Sequence, residues 1–367
     1  SGFIFHMADG QEKKEFSEDP GEFIIQLETL MEKNITQENE VILQDFIEIW
    51  SQDSLGFFTA DEQQQLIEIS NILLDKNARA YPHFRDFLLC IMSFRKIETG
   101  TDNYLAWKEG FANLLNQKRI TLSQTANFLE FTKNLLDSGF IFKSSSTIWK
   151  ADPPEYKFLN DKDVFLLECG QVDLACYSKR DSIILYETQG RYNPVEKLWT
   201  GKGGFVTWER GGFSRDSVFA GLSEYNINMT KSEYTADNVV FTNMHFFDEA
   251  LKGTLTDKVK YIQSAGDATY PRFDSYQKNF YIKSLYDNID FEGGLSMQGA
   301  KLVGTGDQKE NARVFIFRND TLLLVANSGY FSFRADRING VNASVIIHLA
   351  RDSIYHPGLD FRYVVTS

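Results

Sequence analysis

The chain has 367 residues, with 38 lysine and arginine side chains against 51 aspartate and glutamate side chains and a net charge of −13. That length allows two or three domains and a sizeable core. An acidic chain without a basic surplus is a poor match for nucleic acid or an anionic membrane, so both are excluded as partners. No stretch approaches the ~18 consecutive apolar residues that span a bilayer, so no transmembrane segment is predicted.

Residues 1–17 are predicted to be a cloning remnant followed by a flexible N-terminus. The run from Ser1 to Met7 ends in His-Met, which is typical of a cloning site. The polar run that follows, from Ala8 to Glu15, resembles the mature start of an exported protein whose signal peptide was left out. The expected location is therefore the periplasm, the outer membrane or the cell surface.

Apolar residues then recur at three-and-four spacing, which predicts an all-α domain over 18–148. One helix is predicted from Phe23 to Met31, after the start signal Asp19-Pro20. Five more are predicted at about 37–51, 59–76, 82–97, 102–117 and 121–137. Short connections indicate helical hairpins, arranged as a compact bundle or as a short solenoid of helical repeats. The predicted aromatic core consists of Trp50, Phe84, Phe87, Phe94, Trp107, Phe111, Phe128 and Phe131.

Two threonines are predicted to begin helices. Thr59 with Glu62 has the spacing of a capping box. Thr36 is predicted to be a plain N-cap, because Asn39 stands where the full box needs Glu or Gln.

Residues 149–154 are predicted to be a linker, because the step Pro153-Pro154 is tolerated neither in a helix nor in a central strand. After it the period changes to two, which predicts strands such as 313–317 and 345–349. The pairs Gly203-Gly204 and Gly293-Gly294 both precede alternating runs and are predicted to be equivalent corners. Residues 155–367 are therefore predicted to form an all-β repeat domain.

A short phrase of Arg or Asn, then Asp, then Ser or Thr, then an aliphatic residue occurs four times in this half. The copies are Arg180-Asp181-Ser182-Ile183, Arg215-Asp216-Ser217-Val218, Asn319-Asp320-Thr321-Leu322 and Arg351-Asp352-Ser353-Ile354. Because Asp and Ser or Thr favour turns, each copy predicts a corner followed by a strand. Irregular spacing of the copies favours a β-solenoid (β-helix) with inserted loops or a stacked β-jellyroll. The open β-jellyroll of lipopolysaccharide-transport proteins is an alternative, because Ala236-Asp237-Asn238-Val239 followed by Leu251-Lys252-Gly253 resembles its pattern.

The strongest polar constellation runs from Trp199 to Arg210. Its candidate carbohydrate-binding residues are Trp199, Lys202, Trp208, Glu209 and Arg210. Two indole rings grouped with charged hydrogen-bonding groups predict a sugar-stacking platform. The alternative is that both rings belong to the core and the charges are solvated. For an enzyme, Asp257, Asp290 and Glu292 are candidate acid and base groups.

Other catalytic signatures are missing from the sequence. No histidine has a nucleophile beside it, the glycines around Gly203 lack the spacing of a phosphate loop, and no Cys/His cluster has zinc spacing. No catalytic residue, metal or cofactor is therefore predicted. Cys169 and Cys176 could pair across a hairpin, although free buried thiols are the favoured interpretation. The leading hypothesis is a non-enzymatic scaffold or binding protein for an unknown protein or polysaccharide, and the alternative is a carbohydrate-active β-helix enzyme.

Five stretches of the second half are distinctive: 199–210, 232–243, 270–276, 293–304 and 352–358. They resemble the large uncharacterised envelope or surface proteins of Bacteroidetes type. This resemblance implies export and a β-rich repeat body, and it implies no catalytic residue. The Asp-Ser/Thr-aliphatic phrase also resembles the O-glycosylation acceptor motif of such exported proteins, which makes Ser182, Ser217, Thr321 and Ser353 candidate acceptors. The last residues, 363–367, keep a strand pattern, so the chain is expected to be the N-terminal piece of a longer protein.

Overall fold

The computed structural model describes residues 4–8, 11–33, 35–53, 55–97, 101–153, 155–178, 181–261 and 264–365. Parts of several predictions lie outside these residues: positions 1–3 and 9–10 of the N-terminal segment, Pro154 of the linker, Arg180 of the first phrase, and positions 366–367. Across the described residues the protein is of the α plus β class. Six helices in the N-terminal part are followed by a large antiparallel sheet of 20 strands.

The six helices form where the apolar spacing predicts them. They are α1 (Pro20–Met31), α2 (Gln37–Ser51), α3 (Ala60–Asp75), α4 (Arg85–Lys96), α5 (Thr101–Asn116) and α6 (Leu122–Ser138), with a short π-helical turn, Ala80–Phe84, before α4. All eight aromatic side chains predicted to be core are buried, none more than 6% exposed. The helix prediction is therefore confirmed.

Helix starts are set by threonine caps. The Thr36 hydroxyl accepts a hydrogen bond from the Asn39 N–H, as a plain N-cap does. Thr59 accepts one from the Glu62 N–H at 3.2 Å, but no reciprocal bond completes the box, because the Glu62 carboxylate accepts hydrogen bonds from Tyr104 and Lys108. A complete capping box forms instead at Thr121 and Gln124, where it was not predicted.

The strands differ widely in length, from three to 14 residues. A separate two-stranded hairpin of β1 (Ile4–Ala8) and β2 (Gln11–Glu15) precedes the helices. The next ten strands are β3 (Phe140–Lys143), β4 (Ile148–Asp152), β5 (Tyr156–Asp161), β6 (Val164–Tyr177), β7 (Ser182–Asn193), β8 (Leu198–Lys202), β9 (Phe205–Thr207), β10 (Val218–Gly221), β11 (Glu224–Asn228) and β12 (Glu233–Asn243). The last ten are β13 (Leu251–Lys258), β14 (Arg272–Ser275), β15 (Phe280–Tyr286), β16 (Ile289–Gln298), β17 (Lys301–Thr305), β18 (Ala312–Arg318), β19 (Thr321–Ser328), β20 (Tyr330–Arg334), β21 (Arg337–His348) and β22 (Ser353–Val364).

The chain forms two compact units. The first, the helical unit, comprises Ser1–Ser145, Pro154–Cys169 and Arg191–Leu198, and the second, the sheet unit, comprises Ser146–Pro153, Gly170–Gly190 and Trp199–Ser367. In the helical unit, α1, α3 and α5 pack in one series and α2, α4 and α6 in another. Two such series are what stacked helical hairpins produce.

The helical unit also includes the hairpin of β5 with the start of β6. The Asn103 amide on α5 accepts a hydrogen bond from the Phe158 N–H at 3.1 Å and donates one to the Tyr156 carbonyl at 3.3 Å. Phe158 and Phe165 of the hairpin pack against Phe94 and Phe128 of the helices. The strand pair therefore completes the aromatic core of the helices.

Each repeated phrase stands where a strand begins. Strands start at Ser182, Val218, Thr321 and Ser353, so the prediction of a corner followed by a strand is confirmed at all four copies. The pair Gly203-Gly204 is also a corner, since it lies between β8 and β9 with φ of 69° and 86°. Left-handed φ values of this kind favour glycine.

The prediction that Gly293-Gly294 is an equivalent corner is wrong, because both residues lie inside β16. They mark the place where this strand changes neighbours. Residues 289–292 pair with β15 and β18, whereas residues 294–298 pair with β17, and three of them also with β14. Strand β21 does the same, pairing with β20 over 337–340 and with β19 over 344–347. The long strands of the sheet unit are therefore shared between two sets of shorter neighbours.

Candidate functional site

The predicted platform residues lie in β8, directly after β9 and in the 3-10 turn Glu209–Gly211 of the sheet unit. Trp199 and Trp208 are both 0% exposed. The Trp199 indole donates a hydrogen bond to the Tyr225 hydroxyl at 3.4 Å, and the Trp208 ring packs edge-on against Phe241. Rings buried in this way present no free face on which a sugar could stack. Lys202 is exposed at the end of β8.

Arg210 has a structural environment that the sequence did not reveal. One guanidinium nitrogen lies 2.6 Å from the Asp257 carboxylate, and another lies 2.6 Å from the Asp181 carboxylate and 2.7 Å from the Lys258 carbonyl. Asp181 also accepts a hydrogen bond from the Lys260 N–H at 2.6 Å. One side chain thus joins the turn before β7, the turn after β9 and the end of β13. We call Arg210, Asp181 and Asp257 the arginine clamp.

The clamp is buried enough to shift the protonation of Asp257. This side chain is 1% exposed, and its desolvation raises its pKa to about 6, although the Arg210 charge opposes the rise. Tyr234, which is paired directly opposite Asp257, is buried, and the pKa of its phenol is raised well above its usual range by desolvation and then by the Asp257 charge. The Tyr234 hydroxyl and the Arg210 Nε have no hydrogen-bond partner among the described atoms. The cluster is an internal structural tie rather than a platform open to solvent.

Glu209 points to a different set of side chains from Arg210. Its carboxylate accepts hydrogen bonds from Thr207 at 2.9 Å and from Tyr186 at 3.4 Å. The Tyr186 ring stacks on Phe205 with centroids 5.4 Å apart, and the Arg215 guanidinium lies 4.6 Å from the Tyr186 centroid. Tyr186 and Phe205 are partly exposed, so the rings available at the surface here are these two and not the predicted tryptophans.

The candidate glycosylation hydroxyls all lie at or next to a strand start, but their exposure differs. Thr321 and Ser353 are exposed, whereas Ser182 and Ser217 are half-buried. A glycan is bulky and hydrated and needs a hydroxyl that faces solvent.

We expect mass spectrometry of protein purified from its native envelope to show hexose-type mass on the peptides that span Thr321 and Ser353. Ser182 and Ser217 should be modified less, because their neighbours restrict access to them. Unmodified peptides at all four positions would leave these residues only their turn-forming role.

The three cysteines all lie in the described part of the chain, and all three are buried. Cys169 and Cys176 are free and buried, as the favoured interpretation predicted, and burial raises the pKa of their thiols to about 12 and about 11. No group of three or more His, Cys, Asp or Glu side chains is arranged to hold a metal ion among the residues described. Asp290, a candidate acid or base, accepts hydrogen bonds from the Tyr281 hydroxyl and the Ser284 N–H.

A surface that was not predicted lies on the last strands of the sheet unit. Strand register places Phe315, Val325, Ile346 and Tyr355 directly opposite one another across β18, β19, β21 and β22. Directly opposed residues share one face of a sheet, so these four side chains form a continuous apolar row. The first three are half-buried and Tyr355 is 63% exposed.

A polar row runs beside the apolar one on the same face. It consists of Glu292, Arg313, Asn327 and Ser344, which strand register places directly opposite one another. Arg313, Asn327 and Ser344 each lie two positions along their strand from a member of the apolar row. Glu292 lies two positions from the residue that is paired with Phe315. Arg313 and Glu292 form an ion pair at 2.8 Å. We call the two rows together the terminal face. Alternating patterns predicted the strands, but only register shows that these residues are neighbours.

Comparisons with known proteins give no match: no family model, no curated protein and no solved structure is similar to this chain. Among the described residues, no helix combines the length and apolar character needed to cross a membrane.

Proposed function

We propose that this chain is a non-enzymatic, exported envelope or surface protein that serves as a scaffold and binds a protein partner through the terminal face. The observation that supports this proposal is the pairing of an apolar row with a polar row across four adjacent strands. A partly exposed apolar row bordered by polar groups is typical of an interaction surface. Export is proposed from the sequence resemblance alone.

The last strand is the most accessible part of this surface. Every residue from Ser353 to Gly358 is exposed, so β22 offers side chains on both faces over this stretch. Ile354 and Tyr355 alternate there and are 54% and 63% exposed. Large apolar side chains exposed side by side on a strand favour association with another protein.

The proposed architecture of the sheet unit is a stacked β-jellyroll rather than a solenoid. The strand pairs in the second half are antiparallel, as they are in a jellyroll, and along at least one edge β16 and β21 each pair with two shorter strands. Such shared strands allow one sheet to fold over and enclose apolar residues between its halves.

A lipopolysaccharide-transport-like function is the second candidate, and one further row of side chains favours it. On the opposite face from the terminal face, Ile289 and Ile316 are buried, Leu324 and Ile347 are half-buried, and Ile354 is 54% exposed. The apolar lining of this sheet thus opens to solvent at β22. An apolar lining of this kind is suited to acyl chains as well as to a protein.

The test is sedimentation of purified protein with envelope material from the native host. We expect the wild type to bind, and the variant Tyr355→Lys to lose at least tenfold in affinity, because a charge would be placed in the apolar row of the terminal face. Met244→Lys is the matched control, since Met244 is also 63% exposed in the sheet unit but lies outside the terminal face. Equal binding by all three proteins, or no binding by the wild type, would overturn the proposal.

Two further arms separate the candidate functions. Protease treatment of the envelope material should abolish binding if the partner is a protein, whereas binding to protein-free lipopolysaccharide favours the transport-like candidate. The carbohydrate-active enzyme stays a prediction, with Glu209 as its only exposed carboxylate in the predicted constellation. Release of sugar ends from a polysaccharide, lost on Glu209→Gln, would establish it and contradict the scaffold.

A further inference from the structure

A cleft of about 260 Å³ lies in the helical unit, and none of its lining residues belongs to the terminal face. It is formed by one side of α6, by β3 and the residue after it, and by the turn that follows β7. Gly139 ends α6 with a left-handed φ of 69°, which allows the chain to turn straight into β3. Helix and strand therefore form two adjacent walls of the cleft.

The cleft has an apolar base. Phe131, Ile141 and Pro194 are buried side chains that line it, and the Phe131 ring lies 5.4 Å from the Tyr192 ring. Phe142 is half-buried at the side. Rings and aliphatic carbon of this kind supply the apolar part of the lining of a small-molecule site.

Besides Ser144 and Tyr192, five polar side chains line the cleft. Asn127, Glu130 and Asn134 follow one another at helical spacing on α6 and face the cleft. Lys143 and Lys197 stand on the other walls. In the part of the chain that the structure describes, no side-chain hydrogen bond or ion pair engages any of these five groups; the two ammonium groups lie only near the Phe140 and Phe142 rings.

Tyr192 gives the second, independent observation. It lines the cleft and is only 1% exposed, yet its hydroxyl has no hydrogen-bond partner among the described residues. Desolvation raises the pKa of this phenol. The hydroxyl is not one of the fully buried polar atoms without a partner, so it reaches the space of the cleft, where a ligand can form a hydrogen bond with it.

A neighbouring cleft of about 190 Å³ shows the contrast. Its polar groups already bond to one another: Gln117 donates to the Asp163 carbonyl at 2.7 Å, and Arg119 donates to Gln117 at 3.1 Å. The Asn193 amide accepts hydrogen bonds from the Val195 and Glu196 N–H groups. These groups already form hydrogen bonds within the protein, so the neighbouring cleft gives no comparable reason to expect a ligand.

We propose that the α6 cleft binds a small polyhydroxylated anion of about one sugar ring, such as a uronic acid. Hydroxyl groups both donate and accept, so they match the mixture of two amides, a carboxylate and a phenol. Lys143 and Lys197 outnumber Glu130, which favours an anionic ligand. The cleft volume is just below the range of about 300–1,000 Å³ typical of drug-sized ligands, which limits the ligand to roughly one ring.

The experiment is calorimetric titration of the full chain with D-glucuronate, D-glucose and cyclohexanecarboxylate. We expect D-glucuronate to bind at least tenfold more tightly than either of the others, because only it has both the charge and the hydroxyls. Tyr192→Phe should weaken D-glucuronate binding about fivefold, the effect of one lost hydrogen bond. Lys197→Gln and the exposed Lys143→Gln should each reduce the preference for D-glucuronate over D-glucose.

Two matched controls should leave the affinity within twofold of the wild type. Tyr156→Phe removes a hydroxyl elsewhere in the helical unit, and Arg119→Gln removes one positive charge from the neighbouring cleft. Absence of D-glucuronate binding at about 10 mM, or equal affinity of Tyr192→Phe and the wild type, would overturn the site. Equal binding of D-glucose would overturn its anionic character.

Discussion

Replacing Arg210 with methionine is expected to lower the free energy of unfolding by about 3–5 kcal/mol at pH 7, as removal of one partner from a buried ion pair does. The side chains of Asp257 and Asp181 are 1% and 6% exposed, so both charges would lose their main counter-charge while still out of water. Urea unfolding at pH 7 measures the change. Arg191→Met is the control, because the exposed pair of Arg191 with Glu168 should contribute less than about 1 kcal/mol.

The unfolding free energy lost on replacing Arg210 with methionine should depend on pH in a defined direction. The pKa of Asp257 in the folded protein is about 6, above its ordinary value of 3.8. Folding therefore takes up a proton between these values, and this carboxyl favours the folded state more as the pH falls from about 6 towards 4. A protonated Asp257 needs no counter-charge, so the Arg210→Met penalty should be smaller at pH 5 than at pH 7. An equal penalty at both pH values would show that the clamp contributes through packing alone.

The helices could be predicted from sequence because their signals are local. Thr36 and the apolar spacing of α2 lie within one segment, and the predicted and observed helices agree within a few residues. Glu62 shows the limit of that logic. Its spacing from Thr59 is that of a capping box, but Lys108 and Tyr104, more than 40 positions away, engage its carboxylate instead. A local sequence pattern cannot show that a residue far along the chain will bond to the same side chain.

The individual strands of the sheet could be predicted from the sequence, but the pairing between strands could not. Gly293-Gly294 and Gly203-Gly204 have the same local pattern, yet one lies within β16 and the other at a corner. The conformational freedom of glycine suits both, and the choice depends on which strands lie alongside. The terminal face could not be predicted for the same reason, since its rows join residues from five strands whose register the sequence does not show.

Aromatic residues near charges gave an ambiguous signal for the candidate site. Trp199 and Trp208 with neighbouring charges fit both a sugar platform and a core, and burial by Tyr225 and Phe241 places them in the core. The α6 cleft had one weak signal in the sequence. Asn127, Glu130 and Asn134 lie at helical spacing, but their partner Tyr192 is about 60 positions away and could not be associated with them.

Gly304→Ala is expected to destabilise the sheet unit by about 2–3 kcal/mol, an overpacking effect. A Cβ at this position in β17 would lie 2.6 Å from two atoms of the Phe291 ring and 2.9 Å from the Phe333 ring. These rings are 0% and 1% exposed and pack edge-on against each other at 5.2 Å. Neither can move without displacing other core residues, so the strain cannot be relieved at the surface.

Differential scanning calorimetry should show this as a fall in Tm of roughly 5–10 °C for a unit of about 200 residues. Gly170→Ala is the matched control, because a Cβ there meets nothing within 4 Å. It should leave Tm unchanged or slightly raised, since alanine restricts the unfolded chain more than glycine does. A similar fall for both variants would mean that glycine flexibility, and not the close approach of the Phe291 and Phe333 rings to β17, determines the stability at position 304.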